Sequence, residues 1–226
     1  MTLLKISFFL FIVVLCPILI FILILGSTLY NFRESLKIEP IPQRGYRSRI
    51  RDLNGDLPVL ETLEFEKIDE FYLKTIPNII TYVFKHKNDP IYLCQYHLGQ
   101  KMASDYITRY RDEITLTTAN TVDAGMTPRP DKNLLQIFPG RSFGDLLLEH
   151  QKSHQFLTEN FTKAYDIPES EFRHYFMKSF HEQGAYMRKP LLWPFVLLVR
   201  TVTKYGKIYC KSVIDQLSDG RLKIYS

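Results

Sequence analysis

Three groups of residues have the types and the spacing that chemistry requires. Gly140-Arg141-Ser142-Phe143-Gly144 is a G-x-S-x-G pentapeptide between a run of strand character and a run of helical period. A serine on such a turn projects its hydroxyl at a helix N-terminus, where the backbone dipole favours a developing oxyanion. Asp166, followed by His174 or His181, keeps an order of nucleophile, acid and base along the chain. His150 and His154 form the second group. They lie four apart, on a helical face shared with Phe143, Leu146, Leu147, Leu157 and Phe161, and two imidazoles on one stripe can hold a metal if a third ligand joins them. Glu171-x-x-His174 offers one further carboxylate and imidazole at helical spacing. The third group is Cys94 and His97, three apart in a strand, which turns them to opposite faces.

Each group also has a structural explanation. Pro139-Gly140 suits a turn, Ser142 suits a helix cap, and Asp145 stands at the third helical position, where it supports the cap. The pentapeptide resembles the nucleophile elbow of the α/β-hydrolases. That resemblance covers five residues, and the rest of the chain departs from it, with hairpins where βαβ units belong. His174 and His181 project opposite Phe172, Phe176 and Tyr186, away from an apolar seam. A single Glu-x-x-His cannot build a two-iron site. The chain has 14 tyrosines to hydrogen-bond buried histidines. No cofactor is expected, Cys94 reads as packing, and the basic residues lie beside apolar segments instead of among exposed aromatics, so no nucleic acid is expected either.

The elements that must position these residues follow from hydrophobic period. Residues 59–226 read as one α+β domain, a small antiparallel sheet of hairpins followed by a layer of about three helices. "EFEKIDEFYLKTI" reads as a short helix. "ITYVFKH" and "IYLCQYH" flank an Asn-Asp-Pro turn as a hairpin, "DYITRYR" and "ITLTTAN" make a second, and "NLLQIF" a further strand. Helices are expected over 142–165, 168–187 and 194–217. Residues 31–58, with three prolines and a run of arginines after residue 37, read as a basic tether.

Residues 1–30 decide the class. Residues 6–25 carry no charge, and 20 helical residues cover the roughly 30 Å of bilayer hydrocarbon. An uncleaved single-pass anchor is expected, because the run exceeds a signal peptide's apolar core and "LGS" is a poor cleavage site. One basic residue, Lys5, precedes the run and six follow it by residue 51, which puts the C-terminal domain in the cytosol. The Asn160-Phe161-Thr162 sequon has meaning only in a lumen. Charge is uneven along the chain: 7 basic and 3 acidic residues in 1–52, 14 and 19 in 53–184, 8 and 2 in 185–226. The stretch "RKPLLWPFVLLVR" holds nine apolar or proline residues at 191–199, too few for a second crossing. Arg188, Lys189, Leu191, Leu192 and Trp193 read instead as a corner that touches lipid. The expected role is a non-enzymatic binding or accessory subunit on a bilayer, with a protein partner. A serine hydrolase using Ser142 and a metal site on His150 and His154 are the alternatives.

Overall fold

A computed structural model describes residues 37–41, 47–74, 79–98, 101–125, 129–188, 209–222 and 224, with Val13, Cys16 and Ile20. Eight strands form one sheet: β1 (Ile38–Glu39), β2 (Phe65–Leu73), β3 (Ile79–His86), β4 (Ile91–Leu98), β5 (Lys101–Tyr110), β6 (Thr115–Ala119), β7 (Asn133–Ile137) and β8 (Ala164–Tyr165). Among the described residues the helices are α1 (Arg47–Thr62), α2 (Phe143–Asn160), α3 (Phe172–Arg188) and α4 (Val213–Ser218). The fold is α+β. Strands β1 to β7 lie side by side in chain order, and β8 pairs with the end of β5. Every pairing is antiparallel except β6 with β7. That one parallel pair needs a crossover, supplied by residues 120–132 and the 3₁₀ turn Val122–Gly125.

Both hairpins read from the sequence are present, each closed by its own turn chemistry. Between β3 and β4, His86 Nδ1 accepts from the Asp89 amide at 3.1 Å, and the Ile91 amide donates to the Asp89 carbonyl at 2.8 Å. Between β5 and β6, Asp112 and Glu113 take positive φ of 62° and 61°, and the Tyr110 amide reaches the Ile114 carbonyl at 2.8 Å.

Alternate residues of the strands face two separate cores. On one face, Phe65, Ile80, Tyr82, Phe84, Leu93 and Tyr106 pack with Leu60 of α1 and Leu146 and Leu147 of α2. On the other, Phe71, Val83, Tyr92 and Cys94 pack with Ile167 and with Phe172 and Phe176 of α3. The expected helical layer on one side is therefore two layers, one on each face. Near-continuous apolar runs in β3 and β4 fit burial on both sides.

Four other expectations change. "EFEKIDEFYL" is strand β2, because its edge to β3 runs the length of the element from Phe65 opposite His86 to Leu73 opposite Ile79. Those cross-strand contacts outweigh the helix preference of its glutamates and lysine. A register shift between Lys67 and Asp69 breaks the period of 2 that would have betrayed the strand. The tether is partly structured: β1 pairs with β2, α1 takes in residues 47–58, and Ile38, Ile41 and Leu57 pack against the cores. The 142–165 helix stops at Asn160 and its tail becomes β8, while the next helix begins through a 3₁₀ turn, Glu169–Glu171. Of the helix expected over 194–217, residues 194–208 lie outside the described residues, 209–212 are not α-helical, and α4 starts at Val213, where the Ser212 hydroxyl accepts from the Asp215 amide at 3.1 Å. No helix among the described residues is long and apolar enough to cross a membrane. The run at 6–25, apart from Val13, Cys16 and Ile20, lies outside the described residues, as do Lys189, Leu191, Leu192 and Trp193.

Helix α3 is held by aromatic contact and by one strong ion pair. Phe176 meets Phe71, Tyr96, Phe172 and Phe180 at ring centroids of 5.1, 6.5, 6.2 and 4.8 Å. Arg173 makes a two-pronged bond to Asp69, at 2.7 and 2.6 Å. Phe176→Ala should cost about 3–5 kcal/mol in urea unfolding, as a large buried ring does. Leu148→Ala, at a side chain 56% exposed, should stay within about 0.5 kcal/mol. Equal losses would mean that α3 is not part of the cooperative unit.

Candidate functional site

Ser142 occupies the N-cap of α2 with extended backbone, φ −64° and ψ 164°. Its Oγ accepts from the Asp145 amide at 3.2 Å and donates to the Asp145 carboxylate at 2.8 Å. Gly140 before it turns with φ 72°. A depression of about 550 Å³ adjoins Ser142, lined by Val59, Leu63, Met102 and Phe143 among others. No imidazole lines it. Ser142 thus stands on the α1 and α2 side of the sheet, whereas Asp166 and His174 belong to the α3 side, and the sheet separates them.

Asp166 is engaged where it lies. Lys85 donates to it at 2.9 Å and the Tyr92 hydroxyl at 2.6 Å, while the same hydroxyl accepts from the Ile167 amide at 2.9 Å. Burial raises the Asp166 carboxyl, but the bonds from Tyr92 and Lys85 outweigh it and hold the group below the usual range. His174 and His181 are exposed on α3, His174 edge-on to Tyr175 at 5.9 Å.

His150 sits fully buried between two strands. Its Nε2 meets Thr108 Oγ1 at 2.9 Å and its Nδ1 meets Thr118 Oγ1 at 2.7 Å. Gln136 Nε2 donates to Thr118 Oγ1 at 2.7 Å, which leaves the threonine proton for His150 Nδ1 and assigns the ring hydrogen to Nε2. Gln136 Oε1 then accepts from Ser153 Oγ at 2.8 Å and from the Val213 amide at 2.9 Å. One chain of bonds joins β5, α2, β6, β7 and α4. Burial, with His154 adding to it, pushes the His150 imidazole down to about 3. His154 meets the Tyr110 hydroxyl at 2.9 Å through Nδ1 and is also lowered by burial. Among the described residues no three His, Cys, Asp or Glu side chains gather as a metal site. Cys94 and His97 face opposite sides: Cys94 packs toward α3, and His97 lies edge-on to Tyr82 at 5.4 Å.

A constellation that sequence reasoning missed lies under α3. A cavity of about 110 Å³ is lined by Tyr96 of β4, Asp105 and Arg109 of β5, Thr117 of β6 and Arg129 of the crossover. Phe172, Phe176 and Phe180 of α3 form its apolar wall. Asp105 and Arg129 are half-buried by surface, yet protein surrounds their charged ends. Burial pushes the Asp105 carboxyl from 3.8 up to about 6, with Arg129 pulling the other way. Burial also lowers the Arg129 guanidinium, against Asp105, Tyr209 and Tyr96. Arg129 Nη2 donates to the Ala124 carbonyl at 3.3 Å, but its Nε is buried with no hydrogen-bond partner. The Arg109 guanidinium lies over the Tyr175 ring at 4.4 Å. The only sequence signal was the alternation Asp105, Ile107, Arg109 in a strand whose other face is buried too. No protein-family model matches the chain, and neither a curated protein nor a solved structure does.

Two outcomes follow from this geometry. Ser142→Ala should lower stability by about 1 kcal/mol, as loss of a cap does, and a fluorophosphonate probe should label neither protein. Labelling of the wild type alone would make Ser142 a nucleophile. The second concerns acid. Below about 6.5 the unfolded chain protonates His150 and the fold does not, so stability falls with pH by about 1.4 kcal/mol per unit. Asp105 acts oppositely: below about 6 the folded carboxyl takes a proton that the unfolded chain takes only near 3.8. From about pH 6 to 4 the two offset each other. Asp105→Asn should therefore steepen the fall of the urea midpoint between about pH 6 and 4.5, and curves parallel to wild type would refute the assignment.

Proposed function

We propose that this chain is a single-pass membrane-anchored α+β module that acts without catalysis, as a binding or accessory subunit at the membrane surface. One observation supports the non-catalytic part: the candidate nucleophile, the buried histidine and the candidate acid are already committed to the fold. Ser142 bonds Asp145, His150 bonds two threonines, and Asp166 bonds Lys85 and Tyr92. A nucleophile needs a base within hydrogen-bond reach, and Ser142 has a carboxylate that holds it as a cap. The uncharged residues 6–25 support the anchor, and the six basic residues that follow support a cytosolic domain. The basic, apolar corner of Arg188, Lys189, Leu191, Leu192 and Trp193 is read as resting on the bilayer beside that anchor, where an anionic leaflet attracts lysine and arginine. A protein partner completes the reading.

Cys210 is the reporter for this topology, because Cys94 is enclosed in the α3 core whereas Cys210 retains surface. The full chain should stay in the membrane fraction after alkaline carbonate. A membrane-impermeant maleimide should reach Cys210 only after permeabilisation. Release by carbonate would remove the anchor, and labelling of intact cells would reverse the orientation.

A further inference from the structure

The cavity between β5, the crossover and α3 is lined by opposite charges. Arg129 Nε is buried with no acceptor among the described residues, and the half-buried Asp105 lines the same cavity. The two groups attract each other electrostatically without forming a direct ion pair. An enclosed charge without a hydrogen-bonded partner is costly. A charge of each sign facing one space is satisfied by one occupant that is a donor at one end and an acceptor at the other. The aromatic wall of Phe172, Phe176 and Phe180 leaves room for an apolar group between them.

We propose that this cavity is a binding site for a small zwitterion of the α-amino acid type, its carboxylate on Arg129, its ammonium on Asp105 and its side chain against the α3 phenylalanines. A plain carboxylate would meet the repulsion of Asp105, and a plain amine the repulsion of Arg129 and Arg109. The volume of about 110 Å³ compares with the roughly 150 Å³ cavity that takes up one benzene, so the occupant is a small amino acid. The site deepens the non-catalytic reading and rests on it in one respect, that the occupant leaves unchanged.

The pH behaviour follows from Asp105 and its neighbours in the cavity. Cys94 and Tyr96 of β4 are raised far above neutrality, so both stay neutral. Arg129 of the crossover is lowered by burial against the pull of Asp105, Arg109 lines the same cavity, and α3 turns only Tyr175 of its titratable groups toward it. Protonating Asp105 removes the partner of the ammonium.

Titration calorimetry on the full chain in detergent, with L-alanine, L-valine, propionate and ethylamine, tests the site. Either amino acid should bind saturably, with propionate and ethylamine at least tenfold weaker. Alanine affinity should fall as pH drops through about 6. Asp105→Asn and Arg129→Gln should each weaken binding tenfold or more. Ser179→Leu, at an exposed position of α3 that borders the cavity, should abolish binding with an unchanged urea midpoint. That variant keeps the test meaningful if the charge variants misfold. No saturable heat with either amino acid on folded wild-type protein means a water-bridged pair only, and overturns the proposal. Propionate binding as tightly as alanine overturns it too, in favour of an anion site. Recovery of chemically altered alanine would leave the site standing and overturn the non-catalytic reading instead.

Discussion

A sheet covered by helices on both faces has no wet side, and every polar group on its strands must find a partner inside the protein. That constraint governs this fold. Antiparallel sheets commonly keep one solvated face, and here α3 closes one side while α1 and α2 close the other. Thr108, Thr118 and Gln136 stand on the inner strands in the middle of this sandwich, all of them fully buried. They are tolerable because His150 of α2 and the Val213 amide of α4 complete their hydrogen bonds.

The same network does a second task. A one-residue slip of β6 against β7 would turn Thr118 away from His150 and leave several buried groups unpaired at once. The polar chain therefore specifies register where the apolar residues, present on both faces, specify it weakly. It also fixes the short helix α4, whose six residues are far below the length that is stable alone in water. Gln216 adds to this by donating from Nε2 to the Leu135 carbonyl at 2.8 Å. His150 must remain neutral to serve here, which is why its position suits a structural pivot better than a proton carrier.

The α3 side differs in the charge it encloses, for Asp105, Arg109 and Arg129 line its cavity. Its apolar part is closed by Phe71, Phe172 and Phe176, and its edge by the Arg173 bonds to Asp69. Between them Asp105 and Arg129 face the cavity. A space lined by opposite charges, beside a guanidinium nitrogen left unpaired, is where an occupant is to be sought.

How much of this was legible differs from element to element. The two hairpins were, because alternating β-branched and aromatic residues around Asn-Asp-Pro and Asp-Glu leave few other folds. The cap was, because Ser142 and Asp145 interact across three residues and need nothing else. Strand β2 was not: its glutamates and lysine favour helix, and its register shift hides the alternation, so only pairing with β3 made it a strand. The β5 charges were visible as residues, but nothing local says that Asp105 meets an arginine 24 positions later, brought there by a parallel crossover. The sequence by itself determined the local features, turns, caps, helix α2 and the α+β class, since these depend on contacts within a few residues. The tertiary structure alone decided which face each helix covers, that Ser142 and Asp166 stand on opposite sides of the sheet, and that Asp105 and Arg129 share a cavity. Those outcomes depend on long-range pairing and burial, which no local pattern encodes.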